Sequence, residues 1–324
     1  MDAAPPVHDR DDDLEADHSA RSARRRRGSA RRKLTPWMLL TPALLLVFGL
    51  RVAPMIVAGG VSLTDMNLAR PYDPVRFVGV DNYGAVLASS DFADSIWSTS
   101  VIIVPAVMIE MALGLALALW LARPFRARRV ARAALLTPYL LTPIVIGNFF
   151  RMFYNAEFGQ LNYYAHFLHL GGGHEAWLTD PSRVRLGIIA LEVWHTTPFV
   201  TLLCLAGLLS MPQSPLEAAY ADGATAWQRF RHVLLPMLAP VLIAIFALRA
   251  MDALQLFDEV YVMTGGGPGH LSEVFNLYLY HQGFRQFALG TTSAASFLLV
   301  ALVVALGLIA FWARRLGQRN VEVA

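Results

Sequence analysis

Apolar residues in this chain collect into long unbroken stretches instead of the short amphipathic stripes of a soluble core. Six can be drawn: residues 37–60, 96–121, 133–154, 186–209, 237–263 and 291–313. Each meets the roughly 20 mainly apolar residues that a helix needs to cross a bilayer. The pattern predicts an all-α integral membrane protein of six transmembrane helices, with polar interruptions blurring the ends of the third and fifth. Between the fourth and fifth stretches lies a charged, glycine-broken insert, EAAYADGATAWQRFRHVLLP, from Glu217 to Pro236. Glu217, Ala218 and Ala219 favour helix, Gly223 permits a sharp turn, and 224–233 reads as a second short helix. Leu235 and Pro236 are expected to close it. Helix, tight turn and helix make a compact knob suited to docking into another protein.

Composition agrees, since 56% of residues are hydrophobic and 16% charged, well under the charged share of soluble domains. Lys and Arg accumulate in cytoplasmic connections, and here they fall in the tail before the first stretch, at Arg123, Arg126, Arg128, Arg129 and Arg132, at Arg229 and Arg231, and at Arg314, Arg315 and Arg319. The connection 61–94 instead carries Asp65, Asp73, Asp81, Asp91 and Asp94 against Arg70 and Arg76. Both termini and the Glu217 insert are therefore expected on the cytoplasmic side. The run from Arg21 to Lys33 reads as a basic anchor near anionic lipid, not a nucleic-acid patch. No nucleic-acid partner is expected. The first stretch is longer than a signal-peptide core and lacks a clear cleavage site, so it is expected to stay as a span. With one cysteine, Cys204, internal disulfides and thiolate metal clusters are excluded.

Ionisable groups inside such stretches are costly and usually face a partner or a water-filled cavity. They are Arg51, Glu110, Arg151, Glu192, His195, Arg249, Asp252, Asp258 and Glu259, with the amides Asn148 and Gln255. Glu192, His195, Thr196 and Phe199 share one helix face, and Arg249, Asp252 and Gln255 recur every three residues. These polar faces flank the insert and predict a transport path. Carboxylates, amides and guanidinium groups can hydrogen-bond a polar solute, and an aromatic such as Phe199 can stack on its C–H faces. The alternative use is structural, an ion pair from Arg249 to Glu192 or Asp252 that locks the helices.

Gly265 to Gly269 lacks the Lys and Ser/Thr of a nucleotide loop and reads as an external turn. Gly171 to His174 is a second external loop. No HExxH or GxSxG occurs, and no catalytic or metal-ligating set is expected; His195 reads as cavity-lining.

The insert resembles the EAA loop of permease subunits in binding-protein-dependent ABC importers: E-A-A, three residues, G, then an ending in L-P, met here by Glu217, Ala218, Ala219, Gly223, Leu235 and Pro236. The resemblance runs through nearly all of the chain after residue 36 and is strongest to carbohydrate permeases. It is carried also by FVGVDNY (Phe77 to Tyr83), NAEFGQLN (Asn155 to Asn162), VWHTTPF (Val193 to Phe199) and FDEVYVMTGGGPG (Phe257 to Gly269). It implies a permease domain over 36–315, between a basic tail over 1–35 that its charge run predicts to be disordered and cytoplasmic and a short cytoplasmic tail over 316–324. It implies a coupling role for the insert, with Asp222 and Ala224 beside the motif residues. In maltose-type relatives the sugar-holding positions fall on Glu192, Thr196, Phe199, Arg249 and Ala253, though charged Glu192 and Arg249 replace small or neutral groups. Implied partners are a homologous second permease, an ATPase dimer that carries ATP and Mg, a periplasmic or lipid-anchored sugar-binding protein, and the bacterial inner membrane lipid. This chain is expected to bind no cofactor and to hydrolyse nothing. VWHTTPF with Arg249, Asp252 and Asp258 looks most like permeases for trehalose and related α-glucosides such as maltose. The rival reading is an ion-coupled secondary sugar transporter using Glu192, Asp252 or Asp258.

Overall fold

A computed structural model describes residues 40–169 and 175–321, with side chains through residue 305 and at 307 and 308. The Arg21 to Lys33 run, the Gly171 to His174 loop and the side chains of Arg314, Arg315 and Arg319 lie outside the described residues. The chain divides into two compact units, Met1–Ser62 and Leu63–Ala324. The described part of the first is helix α1 (Leu40–Val61), interrupted by a π turn at Phe48–Val52 that holds Arg51.

The second unit contains α2 (Asp81–Leu87), α3 (Ser90–Ala122), α4 (Arg128–Leu136), α5 (Pro143–Phe153), α6 (Gln160–Phe167), α7 (Val184–Ser210), α8 (Ser214–Ala221), α9 (Ala226–Ala253), α10 (Asp258–Met263), α11 (Phe275–Tyr280) and α12 (Leu289–Val321). The fold is all-α, as the apolar stretches predict. The count of six spans is corrected. Among the described residues four helices, α1, α3, α7 and α9, are long and apolar enough to cross a membrane, or five if one bent pair counts as a single span.

Backbone chemistry explains the shortfall in the third and fifth stretches. The third stretch bends by 91° between Arg128–Leu140 and α5, because Pro138 and Pro143 each open a new helical segment with a missing N–H at its first turn. The fifth stretch stops at Ala253 and restarts at Asp258. Asn276 Nδ2 donates to the freed carbonyl of Leu254 at 2.9 Å, which satisfies the break from a side chain, as buried irregular backbone requires. In the last stretch the apolar part with described side chains covers Leu289–Ala305, within the longer α12.

The expected helix-turn-helix knob is corrected too. α8 and the Gly223 turn are present, but 226–229 is no separate helix closed by Pro236. It is the start of α9 and runs through a π turn at Phe230–Leu234 into Leu235–Ala253. In that widened turn the Leu235 N–H bonds to Phe230 O, and the π turn immediately precedes Pro236, whose ring and missing donor suit the first turn of a helical segment.

α3 and α7 are the central pair, and a glycine sets how close they come. A Cβ on Gly114 would lie 2.5 Å from Val200 Cγ1, the small-residue approach that membrane helices use. Two apolar layers stack along them. One holds Ile102, Ile103 and Val107 of α3 with Val184, Ile188 and Leu191 of α7, Ala253, and Val260 and Met263 of α10. The other holds Ala118 and Leu121 with Val200, Cys204, Leu205, Leu238 and Ile245. Glu110, Glu192 and Arg249 fall between the two layers on α3, α7 and α9.

Candidate functional site

Arg249 is 1% exposed, and three elements supply its partners. Its Nε donates to Glu110 Oε2 at 2.6 Å and its Nη2 to Glu110 Oε1 at 3.2 Å. Nη2 also donates to Glu192 Oε1, and Nη1 reaches Asp252 Oδ2 at 3.0 Å. Glu110 and Glu192 are buried, whereas the Asp252 side chain is 59% exposed. Such a network repays the desolvation of its charges only when the guanidinium fork is filled. Here it ties α3, α7 and α9 together in the layer where their apolar packing is interrupted.

Beside the network opens a cavity of about 440 Å³ lined by Tyr139, Leu141, Pro143, Glu192, His195, Thr196, Asp252, Gln255, Leu256, Asp258 and Glu259. Glu192, His195 and Thr196 come from α7. Asp252 ends α9, Asp258 and Glu259 begin α10, and Tyr139 comes from the turn before the α5 bend. The two irregularities that break the expected spans thus supply a large part of the wall. Gly147 lets α5 come close, since a Cβ there would sit 3.2 Å from Glu259 Cα. Thr196 Oγ1 donates to Glu192 O at 2.7 Å, as an intrahelical hydroxyl does.

The predicted path residues separate into two groups. Glu192, His195, Thr196 and Asp252 meet at the cavity. Phe199 stands behind Tyr139, their rings stacked 5.0 Å apart, so Tyr139 is the aromatic that faces the space. Arg249 lies in the ion network and Ala253 in an apolar layer. Both forms of the locking ion pair, to Glu192 and to Asp252, are present together. Sequence reasoning singled out Glu110 and Glu259 as intramembrane polar groups but gave them no site, while Gln255 fell on a predicted path face and Asp258 entered as an ion site of the rival reading. Tyr139 had no signal at all, because a tyrosine at the end of an apolar stretch is ordinary.

At the other end of α7 the insert is largely exposed. Glu217, Ala218 and Ala219 lie on α8, Asp222 caps it, and Gly223 sits at φ +77°. Ala224 O accepts from Arg229 Nη1 at 3.1 Å, and the Arg229 guanidinium lies 5.0 Å over the Tyr220 ring. Thr225 and Gln228 close a capping box at the start of α9. Tyr220 and Trp227 are 71% and 64% exposed, and Leu235 and Pro236 are within α9. The Gly265 to Gly269 loop is pinned through Leu271, whose carbonyl accepts from Ser98 Oγ at 2.7 Å and Arg185 Nε at 2.8 Å.

A profile of the family described as "Binding-protein-dependent transport system inner membrane component" matches residues 110–323, a range that holds the ion network, the cavity and the insert. The chain is 35% identical over 89% of its length to a probable ABC transporter permease protein, y4oQ, of Sinorhizobium fredii, covering 92% of that protein. It is 36% identical over 83% of its length to the trehalose/maltose transport system permease protein MalF of Thermococcus litoralis, covering 89% of it. With the trehalose transport system permease protein SugA of Mycobacterium tuberculosis it shares 36% identity over 86% of its length and 88% of that protein. Among solved structures, a chain of a bacterial ABC transporter that imports the acidic polysaccharide alginate has the same fold, with a TM-score of 0.75 at 20% identity over 90% of this chain and 99% of that one. The chain is therefore a multi-pass membrane protein with a transport role and no catalytic one: it belongs to the family of binding-protein-dependent transport system inner membrane components, as a permease subunit of an ABC-type sugar importer.

Proposed function

We propose that this permease carries a neutral disaccharide of the trehalose or maltose class through the cavity beside Arg249, as one of two homologous subunits that together enclose the path. The observation that carries the reading is the make-up of that cavity. Its wall combines carboxylates, the Gln255 amide, the Thr196 hydroxyl and the Tyr139 ring, which is the mixture that sugar hydroxyls and C–H faces need. Arg249 is engaged by Glu110, Glu192 and Asp252, so the charge left facing the space is negative. An anionic sugar would meet repulsion. The relatives named for trehalose and maltose support the same substrate class.

In this reading Glu192, His195, Thr196 and Asp252 line the path, Phe199 backs Tyr139, and Arg249 and Ala253 hold the helices that form it. Residues 36–315 make up the permease domain, and residues 1–35 and 316–324, the two termini, face the cytoplasm. The exposed stretch from Glu217 to Ala224 meets the ATPase, with Gly223 setting its turn and Leu235 and Pro236 joining that contact to α9. ATP and Mg stay with an ATPase dimer, and a periplasmic or lipid-anchored sugar-binding protein delivers substrate from outside.

The test is a thermal-shift panel on the binding protein encoded beside this permease, with trehalose, maltose, sorbitol, mannitol and glycerol 3-phosphate. Ligand binding raises apparent stability by mass action. A shift with trehalose or maltose alone is expected; a shift with a polyol or the phosphate ester overturns the substrate.

A further inference from the structure

Two polar atoms at the cavity wall make no hydrogen bond although they are buried: Glu192 Oε2 and His195 Nδ1. Their residues are 4% and 7% exposed, and the neighbouring Glu259 is 6% exposed. His195 Nδ1 faces Glu259 Oε1 across 3.8 Å, too far for a hydrogen bond. Leaving such atoms unpaired in a low-dielectric interior is destabilising, the more so for a charged group.

Charge adds a second demand. Glu110, Glu192 and Asp252 pair with the guanidinium of Arg249, and Asp258 and Glu259 line the adjoining cavity. Arg249 takes Glu192 Oε1 and leaves Oε2 without a partner. One donor atom from each of Glu192, His195 and Glu259 can be chosen so that all lie within 4.8 Å of one another. Two ligands of one tetrahedral Zn²⁺ at bond lengths of about 2.0–2.2 Å stand about 3.3–3.6 Å apart. Inward side-chain shifts of up to about 1 Å complete the set.

We propose that Glu192, His195 and Glu259 form a divalent transition-metal site on the cavity wall. An imidazole with two carboxylates suits borderline ions of the Zn²⁺ class over Mg²⁺ or Ca²⁺, which prefer all-oxygen shells. Three protein ligands leave a fourth position for water or a substrate hydroxyl, on the side of the cavity that all three residues line. The ion would satisfy both unpaired atoms and reduce the negative excess by two. It would also tie α7 to α10 across the break at 254–257, and so restrain movement of one against the other. The existence of the site is independent of the sugar reading; only this effect on transport rests on it.

The test is equilibrium dialysis of the chelator-treated, assembled transporter complex against ZnCl₂, with bound metal counted by elemental analysis. Wild type, H195A, E259Q and the control H270A/H281A are compared, with assembly checked by size exclusion. Wild type and control should hold the same amount. H195A and E259Q should each hold one equivalent less per permease chain, or bind at least about 10-fold more weakly. Equal binding in all four, or a loss confined to the control, overturns the site. Should both cavity variants fail to assemble, the H270A/H281A complex loaded with Co²⁺ decides. An imidazole-ligated Co²⁺ spectrum displaced by Zn²⁺ and not by Mg²⁺ supports the site, and an aqueous Co²⁺ spectrum overturns it. No readout involves sugar, so a failed metal count leaves the transport reading standing, and a wrong substrate leaves the metal count interpretable.

Discussion

Replacing Arg249 by Met removes the one cation that answers Glu110 and Glu192 while keeping a long apolar side chain in its place. Two of the broken pairs are buried on both sides, and the third, to Asp252, is 59% exposed on the carboxylate side. Breaking a buried pair costs about 3–5 kcal/mol, because a charge is left without a counterion. The exposed pair adds no more than about 1 kcal/mol. Since 1.4 kcal/mol is tenfold, R249M should lower the folded-to-unfolded ratio by about 10²-fold or more. Denaturant titration of the purified permease in micelles, followed by tryptophan fluorescence, reads this as a lower midpoint. Asp252→Asn should cost far less than Arg249→Met. Adding Glu110→Gln and Glu192→Gln to R249M should recover most of the loss, since well-packed neutral replacements of a buried ion cluster are often tolerated. An R249M midpoint equal to wild type, or a triple variant worse than R249M, would refute the view that this network is a lock.

Gly223 has φ +77° with nothing within 4 Å of the place a Cβ would take, so the cost of a side chain there is backbone strain alone. Gly223→Val should lower sugar-stimulated ATP turnover while membrane insertion stays normal, and Gly223→Asn, which tolerates the left-handed region, should do less harm; equal turnover in all three proteins would contradict the turn's role. Gly114→Ala should lose about 1–3 kcal/mol by overpacking against Val200, and Val200→Ala should restore most of it in the double variant, as judged by the same titration. His270 is held above its ordinary 6.5 by its hydrogen bond to Glu273 and by that carboxylate's charge. A raised folded-state value means its contribution is fully present below pH 6.5 and is lost as pH rises through the folded value. Hydrogen exchange over 265–273 should therefore be faster in His270→Ala than in wild type at pH 5.5–6, with the difference fading at higher pH after correction for the intrinsic rate; a difference independent of pH would exclude this contact as its source.

The all-α membrane character and the polar faces of α7 and α9 were legible because hydropathy and a 3.6-residue period are local properties of a chain. The breaks were not. A hydropathy window passes smoothly over Pro138 to Pro143 and over Leu254 to Phe257, since both remain apolar enough, and only the bend and the Asn276 contact with Leu254 separate the segments. Pro236 misled in the opposite direction: read as a stop, it sits inside α9 directly after a π turn. At the site, Glu192 and Arg249 stood out as costly intramembrane charges and so pointed at each other. Glu110, 139 residues away from Arg249 along the chain, carries no spacing signal that would name its partner. Glu259 likewise meets His195 only because α10 folds back past α5 at Gly147.

The central claim is that sugar crosses through this permease at the expense of ATP hydrolysed on another chain. The direct measurement is uptake of labelled trehalose and maltose into proteoliposomes holding the assembled complex, with binding protein outside and ATP inside or absent. A protonophore and a sodium ionophore collapse the ion gradients in parallel samples. The account predicts uptake that requires ATP and survives both ionophores; uptake without ATP that follows an imposed proton or sodium gradient would contradict it.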